Sequence, residues 1–268
     1  MTTEYAYLEN FINTLRSNGR YSFTLHEVRN TFQQSDEAIK KAMQRLKRKN
    51  EIAQIRNEFY VIVTPEYRSK GTLPPSLFVN ELMKFLEKDY YVGLLNAAAY
   101  YGAAHQQPQS YSIITKKPSL RNIDTNDLKI NFYIKKDWSK KDVVQKKVDT
   151  GYINISSAEL TALDLVNYFE NAGGLNRVAT VLEELSESIK EDKLLETVKR
   201  YTPLTTVQRL GFLLENVLGF THLSEPIKDY LKTMNFFPVL LRPQKEKLDM
   251  ITGNDWKVVP NIEIETDL

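Results

Sequence analysis

Residues 35–49 read SDEAIKKAMQRLKRK and contain six lysines and arginines, a local excess in a chain with 36 basic and 34 acidic residues. Lysine and arginine bind phosphate groups, and together with glutamine they form hydrogen bonds with base edges in the major groove of DNA. The chemistry that this stretch could perform is therefore the binding of a polyanion.

The spacing of these residues predicts an amphipathic helix. Ser35 is placed to cap it, and Asp36 and Glu37 suit the positive end of its dipole. At 100° per residue the apolar side of the helix comprises Ile39, Ala42, Met43 and Leu46. The basic side comprises Lys40, Lys41, Gln44, Arg45 and Arg48.

Two shorter helices precede this one. An apolar stripe that includes Leu8 and Leu15 predicts a first helix, which Asn18-Gly19 ends. Thr24 and Glu27 form a capping-box pattern that predicts the start of a second helix. The basic helix is therefore expected to be the third of a set.

A hairpin is predicted directly after the third helix. The run EIAQIRNEFYVIV has β-rich segments on either side of Arg56-Asn57-Glu58, with Phe59, Val61 and Val63 alternating against Tyr60 and Ile62. Three helices and a hairpin indicate a winged helix-turn-helix domain over residues 1–64, whose third helix would enter the major groove.

We predict that four side chains of this helix lie near base edges and that Arg48 and the hairpin's Arg56 lie nearer phosphates. The four are Lys40, Lys41, Gln44 and Arg45. Two alternatives stay open, because a charged helix face is often only a solvated surface and many winged helices are protein-docking modules.

The remainder of the chain predicts a larger mixed domain, so the fold class is α+β. Residues 65–76 carry three prolines and a glycine and are predicted to be a linker, and residues 77–268 to be the second domain, with strands, helices and a helical section. Ser76, Asp89 and Ser156 are predicted helix caps. The last strand-like runs, FPVLLRP and WKVVPNIEIE, could return to the same sheet.

Two features of this second region could be functional. KKDWSKKDVVQKK, residues 135–147, has six lysines against two aspartates and could be a solvated loop or a surface for DNA or RNA. Asp164 stands between leucines on a predicted helix, as a hydrogen-bonded structural acid or as a catalytic one. Glu191-Asp192-Lys193 resembles an acid-x-lysine nuclease fragment but falls in a helical pattern.

The composition argues against several classes of function. The chain has no cysteine, and His26, His105 and His222 are far apart, so neither a metal nor another cofactor is predicted. No phosphate-binding glycine loop or nucleophile motif is present, and the chain is not expected to be an enzyme. No signal peptide or membrane span is predicted, so a cytoplasmic location without a membrane partner is expected.

Over nearly its whole length the chain resembles the AbiEi antitoxins of bacterial AbiE (type IV) toxin–antitoxin and phage abortive infection systems. The resemblance lies in the N-terminal pattern and in four stretches: TPEYRSKGTLPPSLFVNELMKFLEKDYYVGLLNAAAYYGAAHQQPQ, ITKKPSLRNI, ISSAELTALDLVNYFENAGGLNRVATVLEEL and WKVVPNIEIETDL. It implies a transcriptional repressor that binds double-stranded promoter DNA at operon repeats, and a C-terminal antitoxin domain. The implied partner is an AbiEii nucleotidyltransferase-like toxin, countered without a stable complex.

A different class of function is the alternative. The C-terminal domain could be an enzyme that acts on nucleic acid or reverses a toxin's modification, in which case residues 77–268 alone would be active.

Overall fold

The fold is α+β in the computed structural model, which describes residues 6–104, 108–125, 127–243 and 253–266. The α-helices in these residues are α1 (Ala6–Ser17), α2 (Leu25–Thr31), α3 (Asp36–Arg48), α4 (Val79–Phe85), α5 (Leu94–Tyr100), α6 (Ala158–Asn167), α7 (Leu175–Leu185), α8 (Glu191–Arg200), α9 (Leu204–Phe212) and α10 (Thr221–Lys232). Helix α9 continues into a π-helical turn, Leu213–Val217.

The strands in the same residues are short. They are β1 (Ser22–Thr24), β2 (Ile52–Arg56), β3 (Phe59–Ile62), β4 (Tyr90–Val92), β5 (Tyr111–Thr115), β6 (Ile123–Thr125), β7 (Leu128–Ile134), β8 (Val143–Val148), β9 (Gly151–Ser156), β10 (Val239–Leu240) and β11 (Val258–Val259).

The described strands form three sheets. The first is antiparallel with the order β1-β3-β2, and the second has six strands in the order β6-β7-β5-β4-β9-β8. Within the second sheet β5 and β7 are parallel, with Ile113 opposite Phe132, while β6 is antiparallel to β7. Among the described strands, β10 and β11 pair only with each other, in parallel, so the prediction that the final strands return to the same sheet is wrong.

The chain divides into two compact units. The first unit comprises the described residues of the ranges 1–90, 109–134 and 145–154, and the second those of 91–108, 135–144 and 155–268. The division into domains at 1–64, 65–76 and 77–268 stays a prediction.

The N-terminal part of the first unit has the element order α1-β1-α2-α3-β2-β3. Its core gathers one face of each helix and the inner side of the sheet, with Leu8, Phe23, Val28, Ile39 and Ile52 all at most 2% exposed. Aromatic rings fill the centre, where Phe23 stacks on Tyr60 with ring centroids 5.6 Å apart. Burial of these apolar side chains is the main force that holds the helices on the sheet.

Strand β3 differs from its predicted alternating pattern, because all four of its residues are buried. It is the central strand of its sheet, and both faces are covered: Tyr60 and Ile62 lie in the core that the three helices cover, and the Phe59 ring lies 5.4 Å from that of Phe85. A strand covered on both faces has a continuous apolar run, which the sequence FYVIV matches.

The second unit has a helical core around α6. Nine of the ten residues of α6 are buried, and this helix packs against α5, α7, α8 and α9. A helix that is buried on nearly all sides is stable only when its neighbours surround it in this way.

Three of the predicted caps are wrong. Helix α4 begins at Val79 after Phe78, not after Ser76, and the residues that follow Asp89 form β4, with α5 starting only after Gly93. Helix α6 is capped by Ser157, whose hydroxyl accepts a hydrogen bond from the Leu160 amide, and not by Ser156. The run Tyr90–Val92 is rich in β-forming residues and is buried in the six-stranded sheet, which overrides the helical prediction.

Candidate nucleic-acid interface

Helix α3 is held by a cap at its start and by apolar contacts along one face. The Ser35 hydroxyl accepts a hydrogen bond of 3.2 Å from the Ala38 amide, which satisfies one of the free N–H groups of the first turn. The four apolar residues predicted for the inner face are between 1% and 4% exposed: Ile39, Ala42, Met43 and Leu46. The opposite side of the helix therefore faces solvent.

Arg29 of α2 connects the start of α3 to the hairpin turn. Its guanidinium forms two hydrogen bonds with the Asp36 carboxylate, of 3.0 and 3.1 Å, and a third of 3.1 Å with Glu58. The hydrogen bond with Asp36 is the main reason that the pKa of Arg29 is raised. Such partly exposed pairs stabilise little individually, but a paired contact from one side chain fixes the orientation of the elements that it joins.

The basic face of α3 is exposed along its whole length. All five predicted residues of this helix lie on it with their side chains in solvent: Lys40, Lys41, Gln44, Arg45 and Arg48. A groove runs beside the face, and its lining residues are Leu25, Lys40, Met43, Gln44, Lys47, Arg48 and Tyr60. The structure thus brings five of the six predicted residues together on one surface.

Lys47 lines the groove but is not among the DNA-binding residues predicted from the sequence. Its ammonium group donates a hydrogen bond of 3.0 Å to the Gln54 side chain on β2. The spacing of Lys40, Gln44 and Lys47, at i, i+4 and i+7, was a usable signal, because such residues share one side of a helix.

Arg56, the sixth predicted residue, is the last residue of β2 and is not part of α3. Its guanidinium donates a hydrogen bond to the Arg121 carbonyl and lies 5.4 Å from the centre of the Phe132 ring. Burial lowers the pKa of Arg56, and the nearby charge of Arg121 adds to the effect. A role of Arg56 in phosphate contact stays a prediction, and that contact would have to use a group already engaged within the protein.

Asp164 forms the most buried charged cluster of the second unit. Its carboxylate is 0% exposed and accepts hydrogen bonds from the Tyr91 hydroxyl at 2.6 Å, the Lys135 ammonium group at 2.6 Å and the Tyr201 hydroxyl at 2.8 Å. The Lys135 nitrogen also lies 3.8 Å from the centre of the Tyr201 ring. This is the geometry of a structural acid, the first of the two interpretations of Asp164.

The predicted nuclease-like fragment is helical, because Glu191, Asp192 and Lys193 form the first turn of α8. In the part of the chain that the structure describes, no cluster of His, Asp and Glu side chains has the geometry to hold a metal ion. His105 lies outside the described residues. Among the described helices none is long and apolar enough to cross a membrane.

Comparisons with known proteins bear on the fold and on the role of this chain. The fold is that of an α+β protein and is similar to a crystal structure of the RV2827C protein from Mycobacterium tuberculosis, with a TM-score of 0.65 over 98% of this chain and 92% of that one, at 12% sequence identity. At this identity the likeness concerns the fold alone.

Residues 91–216 match the family model described as the AbiEi antitoxin C-terminal domain. This match supports an antitoxin role in a toxin–antitoxin system. No curated protein matches the chain.

Proposed function

We propose that this protein is the antitoxin and transcriptional autorepressor of a bacterial AbiE-type operon. It binds promoter repeats through the basic face of α3 and counters a nucleotidyltransferase-like AbiEii toxin through its C-terminal region, without forming a stable complex with it. In this proposal residues 1–64 are a winged helix-turn-helix domain, residues 65–76 a linker, and the protein acts by binding and not as an enzyme.

The observation that carries the DNA-binding part is the separation of the two sides of α3. Its apolar residues are buried in the core, while five polar or basic residues share an exposed face. A helix of this kind fits the major groove, which is about 12 Å wide. Lysine and arginine there supply phosphate contacts, and Gln44 and Arg45 have the donors and acceptors that base edges require.

The element order supports the same proposal. Helices α1 to α3 precede the hairpin β2–β3, and Arg29 joins the first turn of α3 to the turn of that hairpin. The antitoxin part of the proposal is supported by the family match over residues 91–216.

The test of the DNA-binding part is the double variant Lys41→Ala/Arg45→Ala in the full-length protein. We expect weaker binding to the protein's own promoter in a gel-shift titration, and a salt slope that is smaller by about 0.9 for each phosphate that the variant no longer binds. The control is Lys190→Ala/Lys193→Ala, which removes two exposed lysines from the second unit. If the α3 variant binds with unchanged affinity, this face is not the DNA-binding surface.

The antitoxin part is tested separately, by co-expression with the toxin encoded by the neighbouring gene. The Lys41→Ala/Arg45→Ala variant should lose repression of a promoter reporter and still restore growth, because α3 lies outside the matched antitoxin domain. If the wild-type chain fails to restore growth, the antitoxin role is refuted.

No contact of Asp164 favours the catalytic interpretation of this residue. Asp164 is fully buried and is bonded to three neighbouring side chains, so a substrate does not reach it in this structure.

A further inference from the structure

Residues 135–144 of the second unit form a short segment, here called the anchored loop, which three contacts attach to helices α6 and α8 and to Tyr91 of β4. The loop contains four of the six lysines in the basic stretch 135–147. In the structure one of these four lysines is buried and three are exposed. The sequence alone does not distinguish them.

The first anchor is Lys135, at the start of the loop. Its side chain is 10% exposed and forms the ion pair with Asp164 of α6, so this lysine is not available to a ligand. A charged pair is transferred out of water only at a considerable cost in free energy, and it persists when the geometry is good and the remaining hydrogen bonds are made. Tyr91 and Tyr201 supply those hydrogen bonds.

The second and third anchors follow within seven residues. The Trp138 ring packs edge-on against Tyr91 with centroids 5.1 Å apart. The Asp142 carboxylate accepts hydrogen bonds from the Thr197 hydroxyl at 3.0 Å and from the Arg200 guanidinium at 2.6 and 3.3 Å. Both ends and the centre of the loop are thereby fixed.

The side chains that remain in solvent between the anchors are mainly basic. Lys136, Lys140 and Lys141 are exposed, and Asp137 is the one exposed acid among these ten residues. Lys135 and Asp142 are neutralised by their own partners, so the exposed part of the loop has a net charge of +2. The Ser139 hydroxyl accepts a hydrogen bond from the Lys141 amide and orders the turn that carries two of the lysines.

We propose that the anchored loop is a second, sequence-independent contact for the phosphate backbone of duplex DNA. Its lysines are compact positive charges, and a loop that is already ordered loses little conformational freedom when it binds. The exposed residues include no arginine for bidentate recognition of bases and no aromatic ring on which a single strand would stack. The loop therefore matches the backbone of a double helix better than base edges or single strands.

The test is the triple variant Lys136→Gln/Lys140→Gln/Lys141→Gln in the full-length protein, with a short duplex of random sequence as the probe. The slope of log K against log salt should decrease by about 0.9 for each lysine that contacts a phosphate, and so by about 2.7 if all three do. Binding to promoter and random duplexes should weaken by the same factor, because backbone contacts do not discriminate between sequences.

A matched control removes the same charge from elsewhere in the second unit. The variant Lys190→Gln/Lys193→Gln/Lys199→Gln replaces three exposed lysines and should leave the slope unchanged. Circular dichroism checks that both variants are folded. Equal slopes for the loop variant and the wild type would overturn the proposal.

A structured RNA is the second probe. If the loop variant loses affinity for the RNA and keeps its affinity for the DNA duplex, the proposed partner is wrong and RNA replaces it. A different result would refute the proposed function. If the wild type binds random and promoter duplexes equally, α3 does not recognise the promoter, and the loop variant still tests the backbone contact.

Discussion

The ammonium nitrogen of Lys135 lies 2.6 Å from a carboxylate oxygen of Asp164, in an ion pair whose two side chains are 10% and 0% exposed. The two residues are 29 positions apart in the chain. This pair, with the two tyrosines that also bond to Asp164, joins the start of the anchored loop to the central helix of the second unit. Its consequences for stability can be measured directly.

Replacing Asp164 with alanine should destabilise the protein by about 3–5 kcal/mol, because it leaves a buried ammonium group without its counter-charge. The measurement is the free energy of unfolding in urea. Asp229→Ala is the control, since Asp229 pairs with Lys232 in a similar contact at the surface, with side chains 76% and 63% exposed, and should cause little change. Equal effects of the two substitutions would show that the buried pair does not contribute as inferred.

The protein should lose stability as pH rises above 10. Burial raises the pKa of Tyr91 and of Tyr201 well above the usual value of 10.0, and the Asp164 carboxylate adds to both shifts. Burial also raises the pKa of Tyr101, to about 12. The unfolded chain then releases tyrosine protons that the folded chain retains, so unfolding becomes more favourable at alkaline pH.

Lys135 acts in the opposite direction, because burial lowers its pKa and its share of stability increases as pH approaches 10.5. The pKa of five tyrosines is raised, against one lysine whose pKa is lowered, so the net effect is a loss of stability. The measurement is urea unfolding at a series of alkaline pH values, with tyrosinate absorbance recorded in parallel. Tyr91 and Tyr201 should stay protonated in the folded protein above pH 10, and tyrosinate absorbance that shows their ionisation there would contradict the prediction.

Gly211 of α9 lies directly against the ring of Trp256. A Cβ atom at this position would be 1.9 Å from the nearest ring atom, and Trp256 is itself only 1% exposed. Gly211→Ala should therefore reduce the free energy of unfolding by at least about 1–3 kcal/mol, since the ring has to move within a packed core.

Gly253→Ala is the matched control for this substitution, because a Cβ atom there meets nothing within 4 Å. Its effect should stay within about 0.5 kcal/mol. The two variants are compared by chemical denaturation, and a neutral Gly211→Ala would mean that Trp256 is not packed against α9 in solution.

Ser35→Ala should destabilise the protein by about 1 kcal/mol, because the Ala38 amide loses the hydroxyl that caps α3. Ser119 is exposed and lies outside the helices, so Ser119→Ala is a suitable control. Hydrogen exchange of the first-turn amides of α3 provides the local measurement. Exchange that is unchanged in Ser35→Ala would show that the cap does not protect this turn.

Local pattern was sufficient to predict α3 and its two faces. The buried residues of this helix are those that its 3.6-residue period selected, and the capping box of Thr24 and Glu27 forms with both of its hydrogen bonds. These features depend on residues within one or two turns of each other, so their geometry follows from the backbone of a single helix.

The contacts that tertiary structure decided join residues that are distant in sequence. Strand β3 is buried on both faces because the helical core covers Tyr60 and Ile62 and Phe85 packs against Phe59. Tyr90–Val92 is a strand because it pairs within the six-stranded sheet. Lys135 resembles its neighbour Lys136 in type, yet one is buried on Asp164 and the other is in solvent. Whether a lysine is neutralised depends on the group that the fold brings next to it. The neighbouring residues in the sequence do not determine which group that is.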